Sequence, residues 1–192
     1  MYNQPYTNKQ INIPYLLKIG NGKIYKIGKY LKDKNLPGVA LFLGDGTEEL
    51  VGAELRRGFG DNDINVVHSQ VVSDISIESI TQTAFQLPPA TDVVVGIGGG
   101  KALDFAKYSA HLLRLPFVSV PTSTSNDGFC SPTSSLTVGG RRKTVKSSIP
   151  FGVVIDLDVI RSCPPVFFYS GLGDMVSKIT ALADWKEAAN RK

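Results

Sequence analysis

The stretch Val95-Gly96-Ile97-Gly98-Gly99-Gly100-Lys101-Ala102-Leu103-Asp104 decides the fold. The stretch Asp92–Ile97, continuously apolar after its first residue, reads as a strand buried on both faces, broken by the triple glycine. From Lys101 onward Leu103, Ala106, Ala110 and Leu113 fall on one helical stripe. A strand, a glycine turn and a helix N-terminus in that order let backbone amides approach a pyrophosphate. Two familiar phosphate motifs do not match. A P-loop has its lysine one position later and a Ser/Thr after it, where this chain has Ala102; GxGxxG counted from Gly96 has Lys101 at its last glycine. A tight structural turn is the competing reading of the glycines.

The same alternation repeats on either side of this stretch. Val39–Leu43 is a short apolar run ended by Gly44-Asp45-Gly46, and Thr47 is expected to cap the helix that follows. Ile64–Val67 is the next strand, and Ser76–Leu87 reads as a helix stopped by Pro88-Pro89. Pro116–Pro121 and Val153–Asp156 complete the strands. Ile19-Gly20-Asn21-Gly22-Lys23 carries the Asn-Gly hairpin signal, but Ile24, Ile27 and Leu31 favour strand, turn, helix. Leu136–Ser148, centred on Gly139-Gly140, is expected to be a projecting hairpin. Apolar strands alternating with helices of about a dozen residues predict an α/β, Rossmann-like parallel sheet with helices on both faces. From Gly171 a strongly amphipathic helix is expected, with Asp174 at its start, running almost to Lys192.

Composition is that of an ordinary globule: 192 residues, 42% hydrophobic, 20% charged, net charge +4. The cations are dispersed apart from Arg141, Arg142, Lys143 and Lys146, where no aromatic side chains interleave, so a phosphate-bearing small molecule explains the charge better than nucleic acid. No stretch approaches a membrane span. Met1–Tyr6 has no signal-peptide character. Cys130 and Cys163 lack metal spacing and read as reduced thiols, so a cytoplasmic location is expected.

A second polar constellation follows the strand at Pro116–Pro121: Pro121-Thr122-Ser123-Thr124-Ser125-Asn126-Asp127-Gly128. It belongs at the same carboxyl edge of the sheet as the glycines, where ligands of open α/β sheets bind. Its hydroxyls and amide suit nicotinamide and phosphate contacts, and Asp127 suits a polyol hydroxyl. A solvated polar loop is the alternative. Asp174, by position alone, reads as a carboxylate favoured by the dipole at a helix N-terminus.

Taken in order, GGGKALDFAK at 98–107, PTSTSNDGFCSP at 121–132 and GLGDMVSKITALADWKEA at 171–188 resemble the glycerol-1-phosphate dehydrogenases. These sit within the superfamily of glycerol dehydrogenases, iron-type alcohol dehydrogenases and dehydroquinate synthases. The resemblance runs from about Ile13 to Lys192. It implies a dehydroquinate-synthase-like N-terminal domain over 1–165, and the first helix of a helical metal-binding domain over 166–192. It implies NAD or NADP as cofactor, with the pyrophosphate on Gly98, Gly99 and Gly100, and Lys101 and Asp104 opening the supporting helix. Asp45 would hold the adenosine ribose, and Thr122 and Ser125 would lie near the nicotinamide ribose. Asp127 would bind the substrate hydroxyl, and Lys146 would be a further phosphate or cofactor contact. Asp174 would be the first ligand of a divalent metal, usually zinc. The implied reaction is reduction of dihydroxyacetone phosphate to sn-glycerol-1-phosphate for polar-lipid synthesis, by a cytoplasmic homo-oligomer that neither binds nucleic acid nor inserts into a membrane. A glycerol dehydrogenase, a dehydroquinate-synthase-like relative and a non-catalytic nucleotide-binding module are the alternatives.

The family completes its metal site with two histidines from a C-terminal helical domain. Here only His68 and His111 occur, and neither matches a ligand position. Catalytic zinc takes three protein ligands. The expectation is therefore a chain that keeps the dinucleotide fold but does not catalyse alone, either a piece of a longer enzyme or a binding module. Met175, Ile179 and Leu182 are expected to need a covering surface.

Overall fold

The computed structural model describes residues 13–190, so the signal-peptide reading at Met1–Tyr6 lies outside the described residues. Six parallel strands form one sheet: β1 (Leu16–Gly20), β2 (Gly38–Leu43), β3 (Asn65–Val71), β4 (Val93–Gly98), β5 (Phe117–Pro121) and β8 (Gly152–Asp156). Their order is β1-β8-β5-β4-β2-β3. The central strands β2, β4 and β5 are buried along their whole length. That burial is why their sequence is continuously apolar instead of alternating.

Helices cover both faces. One core layer joins α1 (Ile27–Lys32) and α2 (Thr47–Gly60) to the sheet through Ile27, Leu31, Val51, Leu55 and Phe59. The opposite layer joins α3 (Ile77–Gln86) and α4 (Gly100–Leu113) through Ile80, Ala84, Phe105 and Ala106. Strand, turn and helix at residues 16–32 are as expected, and β1 pairs in parallel with β8. The buried Asp156 carboxylate ties this corner together, accepting from the Ile24 amide at 2.9 Å and from the Asp158 amide at 3.0 Å, which caps α5 (Leu157–Ser162).

The antiparallel hairpin is also present, as β6 (Thr133–Val138) and β7 (Arg141–Lys146) around Gly139-Gly140. Its β6 edge is closed by two side chains and one backbone carbonyl in place of another strand. The Ser135 amide donates to Asp104, the Thr133 carbonyl accepts from Lys107, and the Thr137 amide donates to the Ile75 carbonyl at 3.0 Å. A bare edge would offer unpaired backbone groups.

Three expectations need correction. Gly46, in the left-handed region at φ +68°, is the N-cap of α2; Thr47 is the first helical residue and makes no capping bond. The last helix, α6, runs from Pro165 to Asn190, so Asp174 lies well inside it. Proline is favoured at the first helical position because its missing N–H has no partner there, so Pro164-Pro165 was the start signal. Nor is α6 a narrow amphipathic stripe. Its apolar side chains spread over a broad arc, and none of its residues is buried.

Candidate functional site

The sheet order creates a reversal between β4 and β2. From β2 the chain proceeds outward to β3, and from β4 it proceeds the other way to β5. Ligands of open α/β sheets bind at the carboxyl ends of such a pair. The two turns that meet there are Gly44-Asp45-Gly46 and Gly98-Gly99-Gly100. They are bonded directly, the Gly44 amide donating to the Ile97 carbonyl at 2.8 Å.

The three glycines have different work. Gly98 has φ +145°, and an added Cβ would stand 2.9 Å from the Gly44 nitrogen. It is glycine because the two turns touch. Gly99, the N-cap of α4, has no side-chain cap, and a Cβ there meets nothing within 4 Å; at Gly100 the nearest atom is Asn126 Nδ2 at 3.6 Å. The uncapped helix start therefore opens onto space that a side chain would fill, bounded by Asn126, and it presents free amides and the positive end of the helix dipole. These features fit a dinucleotide pyrophosphate. Asp45 is exposed beside it, and Lys101 is exposed on the first turn of α4.

The loop after β5 is fastened to the glycine turn by the Thr122 amide, which donates to the Gly98 carbonyl at 3.1 Å. Beyond it, Ser125 Oγ lies 3.3 Å from Ser123 Oγ and accepts from Asn126 Nδ2 at 3.2 Å, while the Asn126 side-chain Oδ1 accepts from the Gly128 amide at 2.9 Å. These bonds make the loop an ordered one, unlike the freely solvated alternative. Helix α6 crosses it closely. Ser170 donates to the Ser125 carbonyl at 3.3 Å, and a Cβ on Gly171 would sit 2.0 Å from the Thr124 carbonyl oxygen, so only glycine fits.

That crossing brings Asp127 and Asp174 together through a lysine, Lys178, to which sequence alone assigns no role. Lys178 Nζ is 3.0 Å from Asp127 and 3.3 Å from Asp174. Hydrogen bonds to Asp127 first and Asp174 second hold its ammonium above the ordinary lysine value. Its i+4 spacing from Asp174 was a usable signal, but the partner in the loop was not visible in sequence. Both carboxylates line a cleft of about 300 Å³ with Ser123, Phe129, Phe168 and Met175.

Asp104 turns away from the glycine turn. Its carboxylate accepts from the Ser135 amide at 3.1 Å and pairs with Lys107 at 3.3 Å. The Lys107 side chain is 0% exposed, and its ammonium donates to the carbonyls of Gly128 at 2.8 Å and Thr133 at 2.6 Å. Burial pushes the Asp104 carboxyl up and the Lys107 ammonium down, and their attraction opposes both. The pair thus clamps the Asp127 loop and the hairpin to α4, in place of the cofactor contact expected of Asp104. Lys146 lies opposite Thr133 at the base of the hairpin, exposed.

The histidines are elsewhere. The His68 ring packs 5.5 Å from Phe42 and its Nε2 is buried without a partner, while His111, in the last turn of α4, bonds Ser148 Oγ at 2.9 Å. Among the described residues no three His, Cys, Asp or Glu side chains group closely enough to hold a metal. The residues present thus fit the dinucleotide and do not by themselves fit a divalent metal. Both cysteines are free thiols, and among the described residues no helix is long and apolar enough to cross a membrane.

Comparison with known proteins agrees with this arrangement. The family model for iron-containing alcohol dehydrogenase matches residues 18–164. The glycerol-1-phosphate dehydrogenase [NAD(P)+] of Metallosphaera sedula is 36% identical over 183 residues, which is 93% of this chain and 51% of that protein. Its counterpart from Picrophilus torridus is 33% identical over 187 residues, 95% of this chain and 52% of that one. The chain thus spans about half the length of the curated relatives it matches. Among solved structures, glycerol dehydrogenase from Schizosaccharomyces pombe superposes with a TM-score of 0.77 at 27% identity, over 88% of this chain and 43% of that chain. The iron-containing alcohol dehydrogenase of Thermotoga maritima shares the fold at a TM-score of 0.71 and 22% identity, over 86% and 52%. With the glycine turn, the reversal beside it and the matched family all in one sheet, this chain belongs to the iron-containing alcohol dehydrogenases.

Proposed function

We propose that this chain is the dinucleotide-binding part of an NAD(P)-dependent glycerol-1-phosphate dehydrogenase that reduces dihydroxyacetone phosphate. The observation that carries this reading is the open, uncapped start of α4 at Gly99 and Gly100, facing the Asp45 turn across the reversal of the sheet. The relatives, whose name carries NAD(P) and glycerol-1-phosphate, support it.

In this reading the amides of Gly99 and Gly100 hold the pyrophosphate. Asp45 takes the adenosine ribose, and Thr122 and Ser125 border the nicotinamide end. A bound NAD(P)H supplies hydride to the substrate carbonyl carbon. Asp127 accepts a hydrogen bond from a substrate hydroxyl and orients it, and the alkoxide left by hydride addition takes its proton from solvent; Lys178 keeps Asp127 and Asp174 at one cleft despite their like charge. Asp174 contributes one carboxylate toward a metal, and no step is assigned to that metal from the residues described. The boundary between the dinucleotide-binding unit and the helical unit falls at residue 165, where Pro164-Pro165 opens α6. The enzyme acts in the cytoplasm as a homo-oligomer on a small phosphorylated polyol.

The test is calorimetric titration of the 192-residue chain with NADH, alongside an assay of NADH oxidation with dihydroxyacetone phosphate. Saturable 1:1 NADH binding without turnover is expected. Failure of the folded chain to bind NADH overturns the cofactor reading, and brisk turnover by the chain alone overturns the assignment of catalysis to a site these residues do not complete.

A further inference from the structure

The segment from Ile13 to Asn35 carries six lysines and a single acid, Asp33, whereas the whole chain is only +4. In sequence these lysines look scattered; the fold gathers them. Lys18 on β1, Lys29 on α1 and Lys34 beyond it border one surface hollow with Tyr15 and Tyr30. Lys26 and Tyr25 continue it along the helix through Lys29. Lys18, Lys26, Lys29 and Lys34 are all exposed, and among the described residues none of the four makes a salt bridge, while Lys32 is engaged by Asp63 at 2.8 Å. The acids at the margin are Asp33 and Asp61, whose carboxylate accepts from the Tyr25 hydroxyl at 2.6 Å.

β1 is an edge of the sheet. Leu16 turns into the core layer that holds α1, so by strand alternation Leu17 and Ile19 turn to the other face. There they are 59% and 55% exposed, and Tyr15, just before the strand, is 71% exposed. An apolar ridge and a lysine face therefore meet along one sheet edge.

Cations around exposed apolar side chains match an anionic lipid surface. Ammonium groups sit among the headgroups, apolar side chains enter the boundary below them, and tyrosine suits that boundary. Two other partners match less well. A second copy paired edge to edge would set like charges opposite at Lys18, the middle of β1, and would bring two lysine faces together. A single nucleic-acid strand stacks its bases on free rings. Here Lys34 covers Tyr15 at 4.5 Å, Lys18 covers Tyr30 at 5.5 Å and Arg57 covers Tyr25 at 4.5 Å, and Tyr15 also stacks on Phe151. We propose that the lysine face of α1 and the apolar edge of β1 form a peripheral docking surface for membranes rich in anionic lipid. This is independent of the dinucleotide reading, since β4 and its glycine turn lie three strands in from β1.

The experiment floats the intact chain on a density gradient with vesicles of phosphatidylcholine, alone or mixed in equal parts with phosphatidylglycerol; self-associated protein does not float. Binding to the anionic vesicles that weakens as salt is raised is expected, with little on the neutral ones. Lys26→Gln together with Lys29→Gln weakens it by about twentyfold, at roughly fivefold for each lysine. Leu17→Ser with Ile19→Ser weakens it by about tenfold. Arg141→Gln with Lys143→Gln removes the same charge from the hairpin and leaves binding within about twofold. All six positions are exposed, so each pair is expected to melt close to wild type. Absence of binding to the anionic vesicles, equal binding to the neutral ones, or an equal loss from the hairpin pair overturns the proposal. So does tighter binding to a single-stranded oligonucleotide than to the anionic vesicles at equal phosphate concentration.

Discussion

Gly98 and Gly99 are neighbours with opposite requirements. Gly98→Val forces a branched side chain into the left-handed half of backbone space and against Gly44, so its expected loss is stability. Gly99→Val enters open space at an ordinary φ of −81°. It should melt close to wild type and lose NADH, because its side chain occupies the cradle. Thermal melts paired with NADH titration separate the two, and a Gly99→Val chain that binds NADH normally would sink the cradle. Lys107 is a buried cation whose removal is measurable in stability. Lys107→Met leaves the largely buried Asp104 carboxylate without its counter-charge and takes the ammonium donor from the carbonyls of Gly128 and Thr133, at a cost of about 3–5 kcal/mol. Denaturant unfolding that shows less than about 1 kcal/mol would contradict the clamp. The i,i+3 spacing of Asp104 and Lys107 was legible in sequence. Its burial was not, because the hairpin that covers it comes from residues 133–146.

At the scale of elements, the start of α3 illustrates a cap that depends on charge. Ser76 caps the helix by accepting from the Ser79 amide at 3.3 Å, and Asp74 accepts from both the Ser76 hydroxyl and amide. The side-chain bond, then the backbone bond, holds the Asp74 carboxyl below its ordinary value. A depressed folded value means stabilisation that is present above the unfolded carboxylate pKa of about 3.9 and lost as pH falls through the folded one. Asp74→Asn should therefore lower the denaturant midpoint at neutral pH, with the gap from wild type narrowing as pH falls through the carboxylate range. A gap that stays constant across that range would rule out the charge as its source. The six sheet strands and α1 to α4 were readable because apolar runs and glycine turns are local signals. Helix α6 was only half readable. Gly171 and Gly173 look like breakers of a helix, whereas Gly171 is needed inside one because the Thr124 carbonyl passes against it.

For the whole molecule, α6 is the outstanding surface. Phe168, Met175, Ile179, Leu182 and Trp185 are all more than half exposed on a helix about 39 Å long. A helix apolar over so broad an arc ordinarily has neighbours on several sides. The 192-residue chain should accordingly self-associate with rising concentration, weakly dependent on salt, and Ile179→Glu with Leu182→Glu should return it toward monomer in sedimentation velocity. A wild-type chain that stays monomeric at high concentration would contradict this. The sequence by itself determined the strands, the glycine turns, the polar loop and the family motifs, since each is written in adjacent residues. Only the tertiary structure decided which turns face one another. The order β4-β2-β3 set Gly44, and the turn that carries Asp45, beside Gly98, the crossing of α6 put Lys178 between Asp127 and Asp174, and the hairpin buried Lys107. The reason is physical: these contacts join segments far apart in the chain, and their energy comes from burying surface and satisfying polar groups that no local pattern records.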